Sequence, residues 1–343
     1  MKKVVSFQMF AVILGIAMMS FAGCKKDNGG NDPDDPDNPD KPGGKGITWT
    51  AVANSTFGTS NIHCIAYGGG KFVACGGSGK VAYSANGEAW TSAAELSNTA
   101  YGIGYGGNRF VAGGYDGDAS YSANGEAWTK SARPFPLVAD GDVQGIAYGG
   151  NRFVAVSSFG KIAYSANGET WTRVPKENNP LDASLEFITG IAYGSGKFVA
   201  VGHNGVVVHS TNGETWTRVD NTTFGTVLIY GVAFGDGRFV AVGNMGKISY
   251  STDGVQWTAV SKTNLESGNT LIYGIAYGGG KFVAVAEKGK MAFSDDKGVT
   301  WTAVSGAASK FGTDDNIKGI AYGGGKFVAV GEKGKMAYSN NQE

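Results

Sequence analysis

The chain is 343 residues long with 57 glycines, 12% aromatic residues and zero formal net charge. That composition suits a turn-rich, all-β fold. It holds no basic excess or stripe on which binding of nucleic acid could rest.

The first segment, residues 1–23, reads as an export signal: Lys2 and Lys3 precede an apolar run from Val4 to Ala22. Its end, Ser20-Phe21-Ala22-Gly23-Cys24, resembles a bacterial lipobox, with Phe21 where Leu is commonest. The resemblance implies cleavage before Cys24 and a lipid on its thiol, hence a membrane partner through an anchor. An uncleaved anchor helix is the competing reading, because the run approaches the length that spans a bilayer. Either way the rest of the chain lies outside the cytoplasm. Lys25, where Asp favours inner-membrane retention in Gram-negative lipoproteins, implies the outer membrane or cell surface. Residues 24–46 hold four of the eight prolines and no large apolar side chain, so a disordered tether is expected. Pro33, Pro36 and Pro39 interrupt the Asp run from Asp32 to Asp40, and no downstream Glu has the spacing of a calcium loop.

Residues 47–343 are a repeat. Seven copies of one phrase begin at Ile65, Ile103, Ile146, Ile191, Val232, Ile275 and Ile320, spaced 38 to 45 residues apart. Each divides into four β-prone runs, plainest as IAYG, KFVAVG, GKMAYS and WTAV. Glycine triplets such as Gly68 to Gly70 suit the first hairpin. Asn-Gly or Asp-Gly at Asn86, Asn124, Asn167, Asn212 and Asp253 suits the third. Four antiparallel strands at this period form a propeller blade. In FVAV both faces are apolar, as expected of blades covered on each side by neighbours. The last copy lacks its Trp strand, whereas an orphan GITWTAV, Gly46 to Val52, precedes the first. A seven-bladed β-propeller is therefore predicted, closed by the N-terminal strand completing the last blade.

The stretch SDDKGVTWT, Ser294 to Thr302, matches S-x-D-x-G-x-x-W, and five shorter relatives occur at Tyr83, Tyr121, Tyr164, His209 and Tyr250. On these motifs residues 47–343 resemble Asp-box, or BNR-repeat, propellers, the class that includes bacterial sialidases. In that family the box lies on the rim, away from the site at the ring axis. Trp49, Trp90, Trp128, Trp171, Trp216, Trp257 and Trp301 occur once per blade, so their role is structural: the Asn or Asp side chain accepts from turn amides and Trp covers the turn.

A sialidase needs an arginine cluster for the substrate carboxylate. Of the six arginines, Arg109, Arg152, Arg238, Arg173 and Arg218 fill repeated slots and only Arg133 does not. A glycosidase needs two carboxyl groups about 5 to 9.5 Å apart. Glu88, Glu126, Glu169 and Glu214 are one per blade, which leaves Asp116, Asp118, Asp140, Asp142, Asp182, Glu186, Glu287, Asp314, Asp315 and Glu332. His63, His203 and His209 are scattered, and no metal or cofactor spacing is present. Cys64 and Cys75 pair across the first hairpin if its turn centres on Gly69-Gly70; a disulfide or two reduced core thiols are the alternatives.

The loops between strands two and three share one face with the interblade loops. Their variable residues, Tyr115, Asp116, Phe159, His203, Asn204, Asn244, Met245, Glu287, Lys288, Glu332 and Lys333, are the candidate ligand-binding set. The interblade loops add Phe57, Phe135, Phe187, Phe224 and Phe311, as exposed ligand contacts or as buried anchors. The expected function is that of a monomeric, lipid-anchored, non-enzymatic scaffold binding a protein or glycan, with no catalytic residue, metal or cofactor. A carbohydrate-active enzyme using top-face carboxylates is one alternative. The other is a structural or assembly component of the envelope, in fold resembling the propellers that assist photosystem II assembly.

Overall fold

The computed structural model describes residues 46–340 except 136–140, 182–185, 221 and 266–268. The readings placed on the signal segment, the tether and Cys24 fall outside these residues, as do Asp140 and Asp182.

The described residues form seven four-stranded antiparallel sheets, one for each repeat. In blade 1 the strands are Ile62–Gly68, Lys71–Gly76, Val81–Ser84 and Thr91–Ser92, from the axis outwards. Blade 7 takes Ile317–Gly323, Lys326–Gly331 and Met336–Ser339 from the end of the chain and Trp49–Ala51 from its beginning. Trp49 pairs with Ser339 and Ala51 with Ala337. Val52 N–H to Met336 O and Asn340 N–H to Thr48 O, both 2.9 Å, extend the seam. The orphan strand and the truncated last copy thus complete each other. Among the described residues the one α-helical turn is Ala308–Phe311, before blade 7.

The phrase Phe-Val-Ala-Val forms the second strand, where alternation sends its residues to opposite faces. Phe72, Val73, Ala74 and Cys75 are all fully buried. Phe72 and Ala74 pack with Val328, Val330 and Met336 of blade 7, whereas Val73 and Cys75 pack with Phe110 and Ala112 of blade 2. Each blade therefore shares its two faces with its two neighbours, and the core is a set of interblade clusters around the ring. The glycine ending each inner strand marks where they touch. A Cβ on Gly68 would lie 2.0 Å from the Tyr105 ring of blade 2, and one on Gly323 equally close to Tyr67 of blade 1, so the contact runs around the whole ring.

The outermost strands are shorter than the WTAV run suggests, since in blade 1 only Thr91 and Ser92 join the ladder. The preceding turn explains this. Ser84 Oγ accepts from Gly87 N–H at 2.8 Å, and Asn86 Oδ1 accepts from Glu88 and Ala89 N–H at 2.9 and 3.0 Å. Trp90 Nε1–H then donates back to Gly87 O at 3.1 Å, which holds the indole over the turn and out of the sheet. Gly87, at φ +78°, supplies the left-handed step.

Candidate ligand-binding face

Two faces of the ring differ in chemistry. The rim carrying the Asn-Gly turns is tied from blade to blade by ion pairs. Lys71 of blade 1 meets Glu126 of blade 2 at 2.7 Å, Arg109 of blade 2 meets Glu169 of blade 3 at 2.5 Å, and Arg152 pairs with Glu214 in the same sense. Lys326 of blade 7 meets Glu88 of blade 1 at 2.5 Å, tying the last blade to the first. The hairpin cations also lie over their own blade's aromatic ring, as Arg238 does over Tyr250 at 4.7 Å. The four repeated glutamates are thereby interblade ties, and SDDKGVTWT belongs with them. Asp296 accepts from Val299 and Thr300 N–H, and Trp301 Nε1–H donates to Gly298 O at 3.1 Å.

The opposite face gathers the loops between strands two and three with the segments leading into each inner strand. One bond repeats there: Gly77, Tyr115, Ser158, His203, Asn244, Glu287 and Glu332 N–H donate to Asn61, Thr99, Asp142, Phe187, Leu228, Leu271 and Asn316 O respectively. In six blades the central loop residue lies near φ +57°, as at Asp116, Met245 and Lys288, which makes a tight corner; in blade 3 the left-handed step falls to Gly160, at φ +69°, and not to Phe159. Lys80, Lys247 and Lys335 reach back to the carbonyls of Phe57, Phe224 and Phe311. These three phenylalanines and Phe135 are fully buried anchors. Phe187 differs from them: it is 37% exposed and forms an aromatic chain with Phe159 and His203, centroids 5.5 and 5.7 Å apart.

Around the axis lies a set that the repeat phrase left out, because it falls two residues before each Ile or Val that opens the phrase. The second residue of the seven inner strands is His63, Tyr101, Gln144, Thr189, Tyr230, Tyr273 and Lys318, and all seven are half-buried. Chemical variety at one slot of a near-invariant repeat is the signal that could have found them. His63 stacks on Tyr101 at 5.3 Å, Tyr230 on Tyr273 at 5.0 Å, and Lys318 Nζ sits 3.9 Å from the centre of the Tyr273 ring. Glycine follows the slot in six blades, since the inner strands run backbone to backbone. A Cβ on Gly102 would lie 2.9 Å from Gln144 O and one on Gly190 3.0 Å from Tyr230 O. A cavity of about 170 Å³ opens on the axis, with His63, Cys64, Gln144 and Thr189 in its lining.

Cys64 takes the position that is glycine elsewhere. Cys64 and Cys75 are register partners, as the hairpin count requires. No bond joins them: both are free, buried thiols, with Cys64 Sγ turned to Cys75 O at 3.8 Å. Burial, reinforced by Cys64, pushes the Cys75 thiol well above its usual range.

The acids of this face are mostly neutralised. Arg133, the arginine outside the repeated slots, bridges Asp116 at 3.1 Å and Asp118 at 2.6 Å. Burial opposes ionisation of Asp118, but hydrogen bonds from Asn98, Arg133 and Lys130 outweigh it and hold its carboxyl below the usual range. Lys333 and Lys335 do the same to Asp315. At Glu332, burial is outweighed by both Asn316 donors and Lys318. Glu186 is paired with Arg218, and Asp142 Oδ1 accepts from Asp116 N–H at 2.9 Å. Carboxylates held ionised are the reverse of what a glycosidase's general acid requires. Among the described residues, no three His, Cys, Asp or Glu side chains gather to hold a metal ion.

Residues 206–326, less than half of the chain, match the DUF6242 beta propeller domain family. No curated protein matches the chain in sequence. In fold it is similar to YCF48 bound to a D1 peptide, at 16% identity over 87% of this chain and 96% of that one, with a TM-score of 0.67. It is similar to YCF48 from Cyanidioschyzon merolae at 18% identity, over 85% and 98% of the two chains, with a TM-score of 0.65. It is also similar to a catalytically inactive virginiamycin B lyase from Staphylococcus aureus with quinupristin, at 14% identity over 86% and 99%, with a TM-score of 0.69. At such identities the likeness is one of fold.

Proposed function

We propose that the protein is a non-enzymatic binding scaffold whose loop face takes a polypeptide segment. The carrying observation is the distribution of exposed apolar bulk. Tyr115, Phe159, Phe187 and Met245, between 37% and 56% exposed, all lie on this face, and Val299 alone of the large exposed hydrophobics lies elsewhere among the described residues. Phe57, Phe135, Phe224 and Phe311 on the same loops are fully buried, so burial was available to side chains of this kind. Clustered exposed aromatics and methionine mark interaction surfaces. The rigid corners beneath keep the ordering cost of binding small. Solved structures of this fold include one holding a peptide, which supports the reading at the level of architecture.

Attachment at Cys24, display at the outer membrane or cell surface, a monomeric state and kinship to Asp-box propellers belong to the same proposal. Attachment and display are supported by the lipobox-like Ser20 to Cys24 and by Lys25, and the kinship by the Ser-x-Asn-Gly turns. The test is an array of immobilised octapeptides and a parallel glycan array, probed with the full chain and with the F159S/F187S double variant. Peptide binding that falls at least about tenfold in the variant is expected. Binding to glycans alone, or peptide binding indifferent to the double substitution, would overturn the proposal.

A further inference from the structure

Blades 6 and 7 are near-copies: Gly274 to Ser294 and Gly319 to Ser339 differ at Ala286 and Phe293 only, against Gly331 and Tyr338. Both carry Glu-Lys-Gly in the loop between strands two and three, and both loops are fixed by the same bond, Glu287 N–H to Leu271 O and Glu332 N–H to Asn316 O. The residues facing the two glutamates differ. Glu332 accepts from Asn316 N–H at 3.1 Å and Asn316 Nδ2–H at 3.0 Å, and meets Lys318 Nζ at 3.2 Å. At the matching positions blade 6 has Leu271 and Tyr273. The Glu287 carboxylate has lost both kinds of partner, and among the described residues it makes no hydrogen bond or ion pair.

Aromatic surface stands where the cation is missing. Tyr230 and Tyr273 stack at 5.0 Å with planes 58° apart, both half-buried at the mouth of the axis. Burial, then Tyr230, Glu287 and Glu332, push the Tyr273 hydroxyl up to about 12, so the ring stays neutral. Tyr230 is raised by burial and then by Glu287. The neighbouring blade shows how a cation is held here: Lys318 Nζ lies between the Tyr273 ring at 3.9 Å and the Glu332 carboxylate at 3.2 Å. Glu287 stands at the loop position from which Glu332 reaches Lys318, with Tyr273 at the matching slot, and a half-buried carboxylate in that place favours a cation that also meets the aromatic surface.

We propose that the axis mouth between blades 5 and 6 binds the cationic side chain, guanidinium or alkylammonium, of a polypeptide lying across the loop face. Glu287 is the counter-charge and Tyr230 and Tyr273 form the aromatic wall. This rests on the peptide-binding reading above and adds its chemistry. Two internal cations compete: Lys318, which already rests on the Tyr273 ring and is held by Glu332, and Lys288, next to Glu287 in the chain and exposed; the blade 7 counterpart of Lys288, Lys333, is held by Asp315 at 2.6 Å, where blade 6 has Thr270.

The experiment uses the full chain and immobilised octapeptides in a Gly/Ser/Leu background with one central residue: arginine, lysine, or their neutral counterparts citrulline and glutamine. On the wild type, the cationic peptides should outbind the neutral ones about tenfold. Glu287→Gln should bring that ratio to about one with unchanged binding of the neutral peptides. Lys288→Ala should keep or raise the ratio, and Glu88→Gln on the opposite rim should preserve it. A wild-type ratio near one, or a ratio that survives Glu287→Gln in a variant melting like the wild type, overturns the cation pocket while leaving peptide binding intact. Failure of every peptide to bind overturns both.

Discussion

Trp49 is the one blade tryptophan supplied by the closing strand, and it separates the energetics of the seam from those of the rim turn. Its side chain is 6% exposed, packed with Met291, Phe293, Phe327 and Ala337. Truncation by Trp49→Ala opens a cavity in that cluster and should cost about 3–5 kcal/mol. The indole N–H of Trp49, which no Ser-x-Asn-Gly turn precedes, has no hydrogen-bond partner, nor has that of Trp171, which such a turn does precede; Trp216 Nε1–H donates to Gly213 O at 3.1 Å. Trp49→Phe keeps most of the packing and removes an unsatisfied donor, whereas Trp216→Phe removes a bond worth about 1 kcal/mol and strands its acceptor. Urea unfolding followed by far-ultraviolet dichroism should therefore rank the stability losses as Trp49→Ala largest, Trp216→Phe intermediate and Trp49→Phe smallest. A Trp49→Phe loss equal to that of Trp216→Phe would refute the hydrogen-bond reasoning. A Trp49→Ala loss of under about 1 kcal/mol, the size of an ordinary point substitution, would refute the role of the seam.

Gly235→Ala should destabilise strongly, since the new Cβ would lie 1.9 Å from the Tyr277 ring. Gly237→Ala, at φ +75° with nothing within 4 Å, should cost only about 1–2 kcal/mol of backbone strain, and equal melting temperatures for the two would contradict the ring contact. Asp118, Asp315 and Glu332 have carboxyls held below their ordinary values, so their contribution is complete above the unfolded-state range and is lost as pH falls through the folded-state values. Thermal melting from pH 6 to pH 2 should show that loss beginning near pH 4, and Asp118→Asn should flatten it; an unchanged pH slope in the variant would count against the Arg133 clamp. Glutathione disulfide should leave Cys64 and Cys75 reduced in the folded chain, because both thiols are buried and the Cys75 thiol is held above its usual range. Peptide mapping that finds the two joined after such treatment would refute the shielding.

The ring itself was legible because its determinants are local and repeated. Glycine triplets and Asn-Gly pairs fix the hairpins, and the Trp strand missing at one end stands spare at the other. The Cys64 and Cys75 register followed from the same counting, but bonding depends on where Cys64 Sγ turns, which no spacing specifies. The acids were harder to place. Arg133 stood out by falling outside the repeat, yet its bridge to Asp116 and Asp118 joins an interblade loop to a corner of the same blade, a contact set by three-dimensional packing. Phe187 and Phe224 occupy similar loops, and only the fold distinguishes the exposed ring from the buried anchor. The axial set from His63 to Lys318 was readable as variation at one slot, but the search for constancy passed over it.

The closing seam also sets an order of events. Thr50 and Asn340, hydrogen-bonded at 3.0 Å across the seam, are separated by 290 positions in the chain. During synthesis the strand Trp49–Ala51 leaves the ribosome early and has no partner until Met336–Ser339 follows. Blades 1 to 6 can form in sequence from local hairpins, while both ends of the growing arc keep an apolar blade face uncovered and able to associate with another chain. The ring becomes a closed object only with its final strand, so the hazard of misassembly lasts nearly as long as translation itself.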